Sequence, residues 1–95
     1  MELSNNIRRL RIAMKINQVE FAQKIGVTKQ CVSNWENDNI LPSVEMLVTI
    51  ADFFSVPTDV LLGRSSDDVI SVEGLSDEEI AHLRAIVKDL QKARK

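Results

Sequence analysis

The side chains that could do chemistry fall into two unequal sets. One histidine, His82, and one cysteine, Cys31, are all the chain holds of the two residue types most used for nucleophilic and metal chemistry. They cannot assemble a metal site by themselves, no Gly-rich phosphate loop is present, and His82 has no nucleophilic partner beside it, so enzymatic catalysis, metals and cofactors find no support. The second set is hydrogen-bonding rather than reactive. Lys29, Gln30, Ser33 and Asn34 point outward from a short helical segment once Val32 and Trp35 point inward. Cys31 lies at the margin of that row. A small side chain suffices there, and the alternative is an oxidation-sensitive thiol.

Two helices must position this row. Phe21, Ile25, Val32 and Trp35 recur at helical spacing in two short runs, interrupted at Ile25-Gly26-Val27-Thr28. Asn17 with Glu20 three residues on makes a capping-box start. Gly26 supplies a left-handed end, and Thr28 caps the second helix, so the turn is only about three residues long. Ala22, Gly26 and Val32 are expected to form one steric unit where the two backbones cross, with Val27 also on the inward side. That combination fits a helix-turn-helix better than a generic helical pair.

The remaining chain reads as all-α. Three glycines, two prolines and no sustained alternation of apolar residues argue against a sandwich or barrel. Leu3, Ile7, Leu10 and Met14 form one stripe on a helix over about residues 4–15. Arg8, Arg9 and Lys15 lie off that stripe, as a solvated face or as phosphate contacts, and Arg11 sits next to it, where a cation wants a partner. After the turn-rich stretch 36–43, Pro42 blocks continuation and Ser43 caps a fourth helix, buried through Met46, Leu47, Ile50, Ala51 and Phe54. Pro57 and Thr58 open a short fifth helix, Asp59 to Leu62, which Gly63 closes. The domain organisation predicted is 1–63 for the helix-turn-helix domain, 64–74 for a linker with an apolar cluster at residues 69–72, and 75–95 for a C-terminal helix.

That last helix is strongly specified. Ser76 and Glu79 form a capping box, Leu75 can staple onto Ile80, acids fill the first turn, and Lys92, Arg94 and Lys95 close it as the helix dipole favours. Ile80, Leu83, Ile86, Val87 and Leu90 make an apolar stripe that a helix of about 18 residues cannot bury alone. The stripe is assigned to dimerisation, the alternative being that it folds back on its own domain.

Net charge is −2, so polyanion binding must rest on local distribution; residues 1–41 carry six Lys/Arg against four acids. One cysteine excludes an internal disulfide framework, and no secretory or 18-residue apolar run is present, which points to a soluble cytoplasmic protein.

Taken together, N-Q-x-x-F-A-x-K-I-G-V-T-x-x-x-V-S-x-W-E at residues 17–36, Pro42-Ser43, and the I-A-x-x-F-x-V pattern of residues 50–56 resemble the lambda-repressor-like (Cro/XRE-type) helix-turn-helix family. The resemblance spans residues 3–63. It implies a five-helix DNA-binding domain whose third helix enters the major groove with Lys29, Gln30, Ser33 and Asn34, while Gln18 meets a phosphate. Lys can donate to guanine O6/N7, and Gln and Asn pair two-pronged with adenine N6/N7. It also implies an ion pair between Arg11 and Glu36. Asp38 departs from the glycine frequent in relatives; Asp tolerates a left-handed turn, yet its carboxylate puts the expected backbone contact to phosphate near Asn37 in doubt.

The function implied is a double-stranded-DNA-binding transcriptional regulator, a repressor acting as a homodimer on a palindromic operator. The alternative is an antitoxin or immunity-type module that binds a protein partner through its last helix.

Overall fold

The computed structural model describes residues 2–64 and 70–93. Every secondary-structure element among them is a helix: α1 (Glu2–Ala13), α2 (Gln18–Ile25), α3 (Lys29–Glu36), α4 (Val44–Phe54), α5 (Thr58–Leu61) and α6 (Asp77–Lys92). The all-α expectation holds.

Local caps set most boundaries. Asn17 Oδ1 accepts from the Glu20 N–H while Glu20 Oε1 accepts from the Asn17 N–H, so both orphan donors at the start of α2 are satisfied. Ser76 and Glu79 make the same reciprocal box at the start of α6, while Thr28 and Ser43 cap α3 and α4 by accepting from the Cys31 and Met46 N–H groups. Gly26 ends α2 at φ 78°, with its N–H donating to the Ala22 carbonyl. A Cβ added at Gly26 would meet nothing within 4 Å, so backbone conformation demands this glycine and interhelical crowding does not. The steric unit expected of Ala22, Gly26 and Val32 therefore reduces to Ala22 and Val32, both buried.

Two other boundaries differ from expectation. α1 stops at Ala13 instead of running to residue 15, because Lys15 adopts a left-handed conformation (φ 59°) and Met14 is left half-exposed. α5 is Thr58–Leu61, shifted back by one residue, with Pro57 at the cap. Asp38 and Ser55 are also left-handed, at φ 62° and 56°; Asp38 thus takes the conformation its side chain tolerates.

α1 to α5 close around Ile7, Phe21, Val32, Ile50, Val60 and Leu61, all fully buried. Each such side chain contributes about 1.5–3 kcal/mol by leaving water. Phe21 also packs against Phe53 and Phe54 with ring centroids 5.4 and 5.2 Å away, fixing α2 against the end of α4. α1 meets α5 through Asn6, whose Nδ2 donates to the Val60 and Leu61 carbonyls at 3.1 Å each, satisfying carbonyls at the end of a four-residue helix.

Beyond α5, no described residue of the 64–74 stretch is in a strand. The Ser71 N–H donates to the Ser55 carbonyl at 2.7 Å, tying this stretch to the end of α4, while Ile70 is exposed. Val69 of the apolar cluster lies outside the described residues, as do Arg94 and Lys95. α6 contains no buried residue; Leu83, Ile86, Val87 and Leu90 are exposed and Ile80 is half-buried. No helix among the described residues is long and apolar enough to cross a membrane.

Candidate nucleic-acid interface

α3 is two-sided. Val32, Trp35 and Glu36 are buried, whereas Lys29 and Gln30 are exposed and Ser33 and Asn34 half-exposed. The first turn of α3 contains no acid and carries Lys29, so its free backbone N–H groups and the lysine together favour an approaching anion. Gln30 Nε2 donates to Asn34 Oδ1 at 3.0 Å, joining the two amides across one helical turn.

The ion pair of Arg11 and Glu36 implied by the resemblance lies underneath, with further donors around it. The Glu36 side chain is fully buried, with 0% exposure, and three side chains converge on it. Arg11 grips it two-pronged, Nε to Oε2 at 2.6 Å and Nη2 to Oε1 at 2.9 Å, and its third arm, Nη1, donates to the Ile16 carbonyl at 2.9 Å. Gln18 Nε2 donates to Oε1 at 3.1 Å, and Arg8 Nε stands 3.5 Å from the same oxygen. Burial acts to raise the carboxyl's pKa, but the hydrogen bonds from Arg11, Gln18 and Arg8, with the Arg11 charge, outweigh it and hold Glu36 below the usual carboxylate range. The Arg11 guanidinium is in turn raised, chiefly by its hydrogen bond to Glu36.

Arg8 extends this network outward. Its Nη2 donates to the Glu36 carbonyl at 3.1 Å and to Asn37 Oδ1 at 3.3 Å, and Asn37 Nδ2 donates to Ser33 Oγ at 3.2 Å. Sequence reasoning leaves Arg8 open between a solvated and a phosphate-binding role; its partners here are 28 and 29 residues away, which no local pattern displays.

Other expected site residues are partly occupied by intramolecular bonds. Thr28 accepts from the Cys31 N–H at 3.2 Å, and its hydroxyl contacts Cys31 Sγ at 3.3 Å. Cys31 packs against the core edge. The backbone N–H groups of residues 37 to 40 all donate to carbonyls of Ser33, Asn34 and Trp35, so the turn after α3 offers no free N–H among them. Arg9 reaches Asn6 Oδ1 at 3.1 Å, on the α1 surface that leads to α5.

Comparison with known proteins gives a consistent picture. Over residues 7–61 the chain matches the helix-turn-helix family. It is 32% identical over 72 residues to the HTH-type transcriptional activator BcrR of Enterococcus faecalis, covering 76% of this chain and 34% of BcrR. It is 31% identical over 68 residues to the cryptic phage CTXphi transcriptional repressor RstR of Vibrio cholerae serotype O1, covering 72% of this chain and 61% of RstR. The matched region thus spans about a third of one relative and about three fifths of the other. A crystal structure of a transcriptional regulator from Listeria innocua shares the fold, with a TM-score of 0.61 at 22% identity over 97% of this chain and 94% of that one. With the capped α2-turn-α3 unit and a family match over more than half of its length, the chain belongs to the XRE-like (Cro/C1-type) helix-turn-helix family.

Proposed function

We propose that this protein is a transcriptional regulator that binds double-stranded DNA sequence-specifically, as a repressor and as a dimer on a palindromic operator. α3 enters the major groove. Lys29 donates to guanine O6/N7, while Gln30 and Asn34 address adenine edges with the amide atoms not used between them. Gln18 donates one amide hydrogen to Glu36 and keeps the other for a phosphate, where Thr28 and the Asn37 side chain also stand.

The observation that carries this reading is the two-sidedness of α3. Its hydrogen-bonding row is mounted on a face that Val32, Trp35 and the Glu36 ion pair hold rigid, and rigid presentation is what discrimination between base edges requires. The relatives named above carry names that refer to control of transcription, one as activator and one as repressor. Repression needs the least of this chain, since occupying an operator requires no further surface.

Dimerisation through Ile80, Leu83, Ile86, Val87 and Leu90 is supported by the exposure of that stripe in the single chain. Two units on half-sites about 34 Å apart multiply their discrimination. The test is selection of bound duplexes from a random library, followed by mobility shifts of the winner and of scrambled DNA. A palindromic consensus with a specific shift is expected. Equal binding to all duplexes would leave the protein-interaction reading, with an antitoxin or immunity-type partner on α6.

A further inference from the structure

Among the described helices α6 alone contains no buried residue, and its charge is divided lengthwise. The first turn carries Asp77, Glu78 and Glu79 and no base, whereas from residue 84 onward Arg84, Lys88 and Lys92 stand against the single acid Asp89, with Arg94 and Lys95 following in the sequence. The two flanks of the apolar stripe also differ. Ile80, Leu83, Val87 and Leu90 form its seam, and Ile86, 54% exposed, widens it on one side, while Arg84 and Gln91 border it on the other.

We propose that a second copy of this chain covers this stripe with its α6 running antiparallel, Ile80 of each chain against Leu90 of the other and Leu83 against Val87. This rests on the dimer proposed above. Antiparallel pairing lays an acidic start beside a basic end twice over and opposes the two helix dipoles; parallel pairing would set acid beside acid and base beside base. It also joins the two widened flanks, so that each Ile86 is covered by its counterpart, whereas in a parallel pair Ile86 would lie beside Gln91. In exchange the parallel pair offers Glu79 with Arg84, an exposed contact of little weight, and Glu79 Oε1 already accepts from the Ser76 N–H at 2.9 Å. Arg84 faces its counterpart on the polar flank of the antiparallel pair, where its long side chain carries the charge outward to water.

The direction of pairing also sets a distance. With the two helices crossing near Ala85, the Ser76 caps stand about 27 Å apart along the pair at a rise of about 1.5 Å per residue; a parallel pair would hold them about 8–10 Å apart. The helix-turn-helix domains are attached at those ends, and the half-sites of a two-fold operator lie about 34 Å apart. The antiparallel pair is therefore also a spacer, of nearly the length that two-fold reading of DNA asks for.

The experiment uses the full chain with Cys31→Ser, into which Ile80→Cys or Leu90→Cys is introduced singly. The two variants are mixed in equal amounts and oxidised mildly, and the disulfides are identified by peptide mass. The mixed disulfide between residues 80 and 90 should exceed the two like disulfides by about tenfold, since bridging requires Cα atoms within about 7 Å. Predominance of the like disulfides overturns the antiparallel direction. Sedimentation of the unsubstituted protein gives a second reading: rising salt should weaken the dimer several-fold by screening the attraction between its unlike ends, and a dimer that holds or tightens in salt overturns the proposal. A full-length chain that stays monomeric at high micromolar concentration overturns dimerisation itself, an outcome distinct from either of these.

Discussion

Arg11 and Glu36 form a two-pronged ion pair, at 2.6 and 2.9 Å, between a guanidinium with 12% of its side chain exposed and a carboxylate with none. They join α1 to the far end of α3. Removing one partner strands the other in a site largely closed to water, which is costlier than loss of an exposed pair. Glu36→Ala should therefore destabilise the protein by about 3–5 kcal/mol. Chemical denaturation would reveal this as a lower midpoint, and a midpoint equal to the wild type would refute the burial of the pair.

The same carboxylate makes stability depend on acid. Its folded pKa is lowered, so the unfolded chain binds the proton more readily and the stabilisation is fully present above the unfolded value of about 4.3. As pH falls from there through the depressed folded value, it is lost. Glu36→Gln, which has no proton to take up at this position, should give a flatter loss of stability between pH 5 and 3. Parallel curves for the two proteins would contradict the assignment.

Reading of bases predicts a different pattern. Gln30→Ala or Asn34→Ala should cost about 1–3 kcal/mol on the preferred duplex and relax specificity at a base pair, while Gln18→Ala should weaken binding to all sequences. Because Gln30 Nε2 bonds Asn34 Oδ1, the double substitution should cost less than the sum of the two. Titrations on the preferred and on random duplexes check both points; equal losses on the two would remove α3 from base reading.

For assembly, deletion of residues 75–95 should leave a folded monomer whose DNA binding is weak and falls steeply with salt. Sedimentation decides it. A truncated protein that still sediments as a dimer, or a full-length chain that is monomeric at high micromolar concentration, would sink the role given to α6.

How much of this is legible in the sequence depends on the separation between interacting residues. Asn17 and Glu20, Gly26, Thr28, Ser43, Ser76 and Glu79 act within three or four residues of themselves, so the helix starts and the turn between α2 and α3 are visible as patterns. The row Lys29, Gln30, Ser33, Asn34 comes from elimination. The end of α1 is not legible, because Lys15 turns left-handed where neither glycine nor asparagine marks it. Nor is the meeting of Arg8 and Gln18 at Glu36, or of Asn6 with the carbonyls of Val60 and Leu61, 54 and 55 residues away. Those contacts exist only after the core has closed. The family resemblance supplies Arg11 and Glu36, but not the further donors around them.

Lys15, Asp38 and Ser55 give the protein room for engineering. Each holds an L side chain in a left-handed backbone at φ 59°, 62° and 56°, which costs about 1–2 kcal/mol apiece relative to right-handed geometry. Glycine at Lys15 or Ser55 would relieve that cost, less the extra freedom it gives the unfolded chain. Neither position lies in the reading row, so a hardier scaffold is attainable there without altering which duplex is chosen. At Asp38, beside Asn37, the same change would also remove a negative charge next to the side chain proposed to meet a phosphate, tying robustness to affinity at that one turn.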